Sequence, residues 1–151
     1  MEDEPNSLDK YQWVFPREVG LLVDLREKIQ QVMEDLPMDD KQKLRMVMCV
    51  DEAAANIVEH TVPKEDDENF VYIVTAEVLD GYFKVIFSDK GMPYDPTQAP
   101  LVDIKAHVKS GKKDGLGVHI MRLSLDILEY EYDESGENIF TLGMKIAQKD
   151  T

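Results

Sequence analysis

The sequence predicts an α+β domain, a two-layer sandwich with helices packed on one face of a mixed, mostly antiparallel sheet. Three observations carry that expectation. The predicted elements run in the order β-α-α-β-β-loop-α-β-β. Two early stretches show helical apolar patterning. Asp80-Gly81 separates two runs rich in β-branched and aromatic residues, which is the signal of a two-residue hairpin.

Taken in order, residues 1–9 read as a loose tail and residues 10–148 as a single domain. Tyr11 to Phe15 reads as a short strand ended by Pro16. From Arg17 to Leu36 the apolar residues Leu22, Leu25, Ile29, Val32, Met33 and Leu36 fall on one helix face. Pro37 ends that helix, and Asp39 or Asp40 can cap the next. The second helix spans about Lys41 to Thr61. It is apolar almost all round from Leu44 to Val58, so burial on both sides is expected. Asn69 to Leu79 and Tyr82 to Ser88 are strands. Residues 89–117 carry Gly91, Pro93, Pro96, Pro100, Gly111, Gly115 and Gly117 and read as a loop, whose length suits a functional or mobile segment. Val118 to about Leu125 reads as a helix. Asp126 to Asp133 and Asn138 to Ala147 read as strands joined by a turn at Glu134 to Glu137.

Bulk properties narrow the function classes. The chain has 151 residues and is 43% hydrophobic, enough for one domain with a real core. Its one cysteine, Cys49, lies in an apolar run, which points to a buried inert thiol and a reducing compartment. No stretch approaches a membrane span, and the start from Met1 to Pro5 is acidic with no signal-peptide pattern. A cytoplasmic protein with no membrane partner is expected. The formal charge of −14, from 17 basic and 31 acidic residues, argues against direct nucleic-acid binding. It permits a basic protein partner, although acidity chiefly keeps a small domain soluble.

Three polar clusters carry candidate chemistry. Glu52, Asn56 and His60 are spaced i, i+4, i+8 and so share one stripe of the second helix. A carboxylate and an amide in an apolar helix are costly unless paired. Mg²⁺ would pair them, since it takes oxygen ligands and completes its shell with water and phosphate. The plain alternative is a solvent-facing stripe. Ser88-Asp89-Lys90-Gly91 ends a strand, where a buried carboxylate could accept a hydrogen bond from an exocyclic amine such as that of adenine. Gly91 would let backbone approach a flat ring. The plain alternative is a common Asp-x-Gly turn. Gly115-Leu116-Gly117 precedes a helix, where glycines and free N–H groups can hold phosphate. Before it, Lys105, His107, Lys109, Lys112 and Lys113 reverse the sign of the acidic background. Lysines there can meet phosphates as point charges.

In their order and setting these clusters resemble the GHKL ATP-binding superfamily, and within it the anti-sigma-factor serine kinases. The segment from Glu52 to His60 resembles the asparagine box. The segment from Asp89 to Pro96 resembles the first glycine box, and that from Gly115 to Arg122 the second. The likeness extends from about Tyr11 to Ala147. It implies the histidine-kinase-like ATPase fold with ATP and Mg²⁺ as cofactors. Asn56 would bind the metal. Asp89 would read the adenine amine beside Gly91. Gly115, Leu116 and Gly117 would lie under the phosphates, and Glu52 would be the general base. Such relatives often carry an arginine before the second glycine box. Here Lys112 and Lys113 stand, which offer point charges rather than a planar fork.

The resemblance implies a kinase that phosphorylates a small STAS-domain anti-anti-sigma factor and binds a sigma factor or other regulated protein. It also admits a homodimer, which no residue of the sequence carries. Two alternatives use the same residues. One is a non-catalytic ATP-dependent binding switch in which Glu52 is idle. The other is the ATPase part of a two-component sensor or a chaperone-like ATPase.

Overall fold

The computed structural model describes residues 10–65, 69–98 and 116–147. The strands are β1 (Tyr11–Pro16), β2 (Val71–Leu79), β3 (Tyr82–Asp89), β4 (Ile127–Tyr132) and β5 (Asn138–Lys145). The helices are α1 (Leu22–Met33), α2 (Asp40–His60) and α3 (Leu116–Ser124). The sheet order is β1-β2-β3-β5-β4, and each of the four pairings is antiparallel. This is the expected α+β sandwich.

Local chemistry explains most element boundaries. Asp80 and Gly81 take φ of 55° and 84°, the positive values that a tight hairpin turn between twisted strands requires. Pro16 ends β1, an edge strand, where a missing N–H is tolerated. α1 begins at Leu22 rather than Arg17, because Val19–Leu21 form a 3-10 turn closed by the Leu21 N–H on the Glu18 carbonyl at 3.2 Å. It ends at Met33, before the expected Leu36, whose N–H instead closes a tight turn on the Met33 carbonyl at 3.1 Å. α2 starts under Asp39. The Gln42 N–H donates to the Asp39 carboxylate at 2.8 Å, and the Gln42 side chain accepts the Asp39 N–H at 3.1 Å. This reciprocal capping satisfies two donors at the helix start. Gln42 Nε2 also reaches the Lys145 carbonyl at 3.1 Å, tying the start of α2 to the end of β5.

Strand alternation sends one set of side chains toward the helices. Tyr72, Val74 and Ala76 of β2, Phe83, Val85 and Phe87 of β3, and Phe140, Leu142 and Met144 of β5 are all buried. α1 adds Leu25, Ile29, Val32 and Met33, and α2 adds Met46, Cys49, Val50, Ala53, Ala54 and Ile57. Each large apolar side chain so buried contributes roughly 1.5–3 kcal/mol relative to exposure. Both α1 and α3 pack against α2, which is the middle helix of its layer. The expected burial of α2 on both sides is only partly met. Leu44 and Met48 are exposed, because the sheet and two helices cover three sides of α2 and leave the fourth to solvent.

Two polar contacts fix how α2 is set. Arg26 of α1 pairs with Asp51 at 2.9 Å. Such a half-exposed pair adds little stability but orients the helices. At the far end, Arg17 donates to the Thr61 carbonyl. Cys49 is buried in this layer, and burial pushes its thiol up to about 11, so it stays protonated at neutral pH. Among the described residues no helix is long and apolar enough to cross a membrane.

Tyr72 is fully buried and stacks on Phe15 at 5.8 Å. Its hydroxyl has no hydrogen-bond partner among the described residues, and burial raises it to about 12. Tyr72→Phe removes a desolvated donor without breaking a bond. In urea unfolding the variant should match wild type or gain up to about 1 kcal/mol. A loss larger than that would show that the hydroxyl is bonded.

Candidate functional site

One end of β3 breaks the apolar alternation of its core face. After Phe83, Val85 and Phe87 comes Asp89, a carboxylate only 6% exposed. A carboxylate so buried needs partners. Asn138, directly opposite on β5, donates from Nδ2 to Asp89 Oδ1 at 2.9 Å. The Gly91 N–H donates to the same oxygen at 2.8 Å. Asn138 Nδ2 also donates to the Met92 carbonyl at 3.0 Å and the Gly91 carbonyl at 3.3 Å. Its Oδ1 accepts the Tyr94 N–H at 3.1 Å and the Tyr130 hydroxyl. Both ends of one amide, itself 5% exposed, therefore hold the chain from Gly91 to Tyr94 against the sheet. Asp89 Oδ2 accepts no hydrogen bond among the described residues.

Gly91 is crowded from the side of α2. A Cβ there would lie 2.6 Å from Thr61 Cγ2 and 2.9 Å from the Val62 carbonyl oxygen. The Met92 N–H donates to that carbonyl at 2.7 Å. In this fold the glycine is required by the chain leaving α2.

These segments wall a small pocket that opens to solvent. Ala53, Asn56 and Ile57 line it from α2, Phe87 and Asp89 from β3, and Tyr130, Asn138 and Phe140 from the last two strands. Thr61, Tyr94 and Pro96 complete the lining. Apolar and aromatic walls with a few placed polar groups are the form of a small-molecule site.

The Glu52, Asn56, His60 stripe runs past this cavity into three surroundings. His60 stacks on Tyr94 at 5.6 Å. Asn56 lines the cavity. Glu52 leans on α3, where a Cβ on Gly117 would fall 2.1 Å from Glu52 Oε2. Gly117 thus leaves room for the carboxylate at the first turn of α3, where unpaired N–H groups favour negative charge. Burial, and then the charges of Glu59 and Asp51, raise Glu52 above the ordinary glutamate range.

The structure brings together five of the residues expected from sequence: Glu52, Asn56, Asp89, Gly91 and Gly117. Leu116 begins α3. Lys112, Lys113 and Gly115, with Lys105, His107 and Lys109 of the basic run, lie outside the described residues. Asn138, Thr61, Tyr94 and Tyr130 were not expected as site residues. For Asn138 a signal existed. It holds the position before Phe140, Leu142 and Met144 in the alternation, where an apolar residue belongs. Among the described residues no group of three or more His, Cys, Asp or Glu could hold a metal ion.

Residues 15–143 match the histidine kinase-like ATPase domain family. The chain belongs to that family. Solved structures agree on the fold. The RsbU and RsbW domains of Rv1364c from Mycobacterium tuberculosis align with a TM-score of 0.61 at 13% identity. That alignment covers 95% of this chain and 35% of the other, so this chain spans about a third of that protein's length. The SiaB–SiaC complex from Pseudomonas aeruginosa aligns with a TM-score of 0.58 at 15% identity, covering 93% of this chain and 91% of that one. No curated protein matches the sequence significantly. A histidine kinase-like ATPase domain implies ATP, and the kinds of residue lining the pocket suit its base. Phe87, Tyr94 and Phe140 line it with aromatic side chains, and Asp89, whose Oδ2 accepts no hydrogen bond among the described residues, is an acceptor of the kind an exocyclic amine needs.

Asn138→Ala strips the amide from this network and leaves buried Asp89 with one fewer donor. The variant should lose about 2–3 kcal/mol in urea unfolding. An unchanged unfolding midpoint would mean that the chain from Gly91 to Tyr94 is held by other contacts.

Proposed function

We propose that this histidine kinase-like ATPase domain is an ATP- and Mg²⁺-dependent protein serine/threonine kinase of the anti-sigma, partner-switching type. It phosphorylates a STAS-type antagonist and binds a sigma factor or another regulated protein. The observation that carries this reading is the position of Glu52. Its carboxylate sits against the first turn of α3, one helical turn from Asn56 in the cavity wall, and burial raises its proton affinity. A carboxylate with no hydrogen-bond partner among the described residues and a raised pKa is suited to act as a base. The fold neighbours support the class of process, since one contains an RsbW domain and the other was solved as a complex of SiaB with SiaC.

Each residue has a role in this reading. Asp89 accepts the adenine amine. Gly115, Leu116 and Gly117 supply the phosphate turn, and Lys112 and Lys113 add positive charge beside it. Asn56 would hold Mg²⁺, which would neutralise phosphate charge. Among the described residues no acidic cluster stands ready for the metal, which suits an ion that takes few protein ligands. Glu52 takes the proton of the acceptor serine hydroxyl. Positioning and charge stabilisation are most of what phosphoryl transfer needs.

Glu52→Gln tests the reading. Transfer from labelled ATP to a partner serine should fall by about 10²–10⁴-fold, while ATP affinity by calorimetry changes little. ATP-dependent partner binding without transfer by either protein would favour a non-catalytic switch. Affinity lost together with turnover would make Glu52 a metal or structural ligand instead.

Two pH effects follow from the raised Glu52 pKa. The base works ionised, so transfer should decline with falling pH at a value above the ordinary glutamate range. The folded chain also holds this proton more tightly than the unfolded chain, so ionising Glu52 costs stability as pH rises through its folded pKa. Glu52→Gln removes that cost and should be at least as stable as wild type at pH 7 by thermal melting. A clearly less stable variant would mean that ionised Glu52 has a stabilising partner.

A further inference from the structure

We infer that the Thr61 hydroxyl is a second reader of the base. It donates to a ring nitrogen beside the exocyclic amine that Asp89 accepts, and the inference rests on reading the cavity as an adenine site. Thr61 follows α2 directly and is only 3% exposed. Its backbone is fixed at both ends. The Thr61 N–H donates to the Ile57 carbonyl at 3.1 Å, and its own carbonyl accepts from Arg17. Its methyl group is also fixed, because Thr61 Cγ2 fills the space beside Gly91. A β-branched side chain has few rotamers, so the hydroxyl points away from that contact in a set direction.

That hydroxyl makes no hydrogen bond among the described residues. It is not among the sealed, unpaired side-chain polar atoms of the described residues, of which the Tyr72 hydroxyl is the one. Thr61 lines the cavity together with Asp89 and is otherwise nearly covered. An unpaired hydroxyl in so enclosed a place is costly unless a ligand completes it.

Asp89 is the neighbour that gives the hydroxyl its meaning. Thr61 Cγ2 and Asp89 Oδ1 lie 2.6 and 3.0 Å from the same point beside Gly91. Asn138 and Tyr130, which also line the cavity, are committed to each other. Among the described residues this corner therefore offers one carboxylate oxygen and one hydroxyl without a hydrogen bond. Adenine presents the matching pair, an amine that donates and an adjacent ring nitrogen that accepts. Guanine presents a carbonyl where the amine would be, which faces the carboxylate without a proton between them.

The test uses calorimetry in Mg²⁺ buffer with ATP, 1-deaza-ATP and 7-deaza-ATP, whose missing nitrogens are the two that flank the amine. Wild type should bind one of the two analogues about three- to tenfold more weakly than ATP, the size of one neutral hydrogen bond. Thr61→Val should weaken ATP by the same factor and leave that one analogue unaffected. Thr61→Ser, which keeps the hydroxyl, should stay within about twofold of wild type. The assignment is overturned if wild type binds both analogues as it binds ATP, a result that needs no variant to fold. It is equally overturned if Thr61→Val weakens ATP and both analogues alike, which would mark a packing effect. If wild type binds none of the three, the adenine reading of the cavity falls first and Thr61's role with it.

Discussion

A buried carboxylate governs one end of this molecule. Asp89 closes β3 on the core face, where the three preceding inward positions are apolar. Ionised carboxylates are tolerated in such places only when donors surround them. Asn138 and the Gly91 N–H are those donors, and each bond has a structural consequence. The Gly91 bond bends the chain back at the strand end. The Asn138 bonds clamp that bend against the sheet as far as Tyr94. The cavity wall thus follows from the need to satisfy one charge. The same arrangement commits Oδ1 and leaves Oδ2 without a hydrogen bond among the described residues, so the group that shapes the wall also brings an acceptor to it.

α2 links this end of the molecule to the candidate chemistry. Its inward residues knit the core, and the Arg26–Asp51 pair and the Arg17 contact set its rotation and its end. One stripe of the helix then reaches the aromatic rim at His60, the cavity at Asn56 and the start of α3 at Glu52. The helix spacing keeps these three a turn apart. Glu52 is the member of the stripe that the fold disfavours, being partly buried beside two other acids. A stability cost of this kind is common where a group must be ready to change its protonation state.

Much of the fold was legible in the sequence because its signals are local. The Asp80-Gly81 turn, the capping aspartate before α2 and the alternation in β3 each act over a few residues. The helix limits at Arg17 and Leu36 were misplaced because apolar spacing continues through 3-10 turns that break the α-helical ladder. Leu44 and Met48 looked buried because an apolar run does not say how many neighbours a helix will have. At the site, Glu52, Asn56, Asp89, Gly91 and Gly117 were visible as a motif pattern. Asn138 and Thr61 were not. Asn138 lies 49 residues beyond Asp89 and reads locally as the first residue of an ordinary strand. Thr61 reads as an ordinary helix end. Their importance comes from strand register and from the return of the chain past Gly91, which are tertiary facts.

The central claim is that the cavity beside Asp89 holds the adenine of ATP. It is tested most directly by titrating ATP and GTP into wild type and Asp89→Asn by calorimetry in Mg²⁺ buffer. In the variant the amide oxygen should keep the bonds to Gly91 and Asn138, which turns the amide's donors toward the adenine amine. The account predicts that wild type prefers ATP and that the variant loses about tenfold to a hundredfold in ATP affinity, with little change for GTP. Equal loss for both nucleotides, or no loss for ATP, would contradict it.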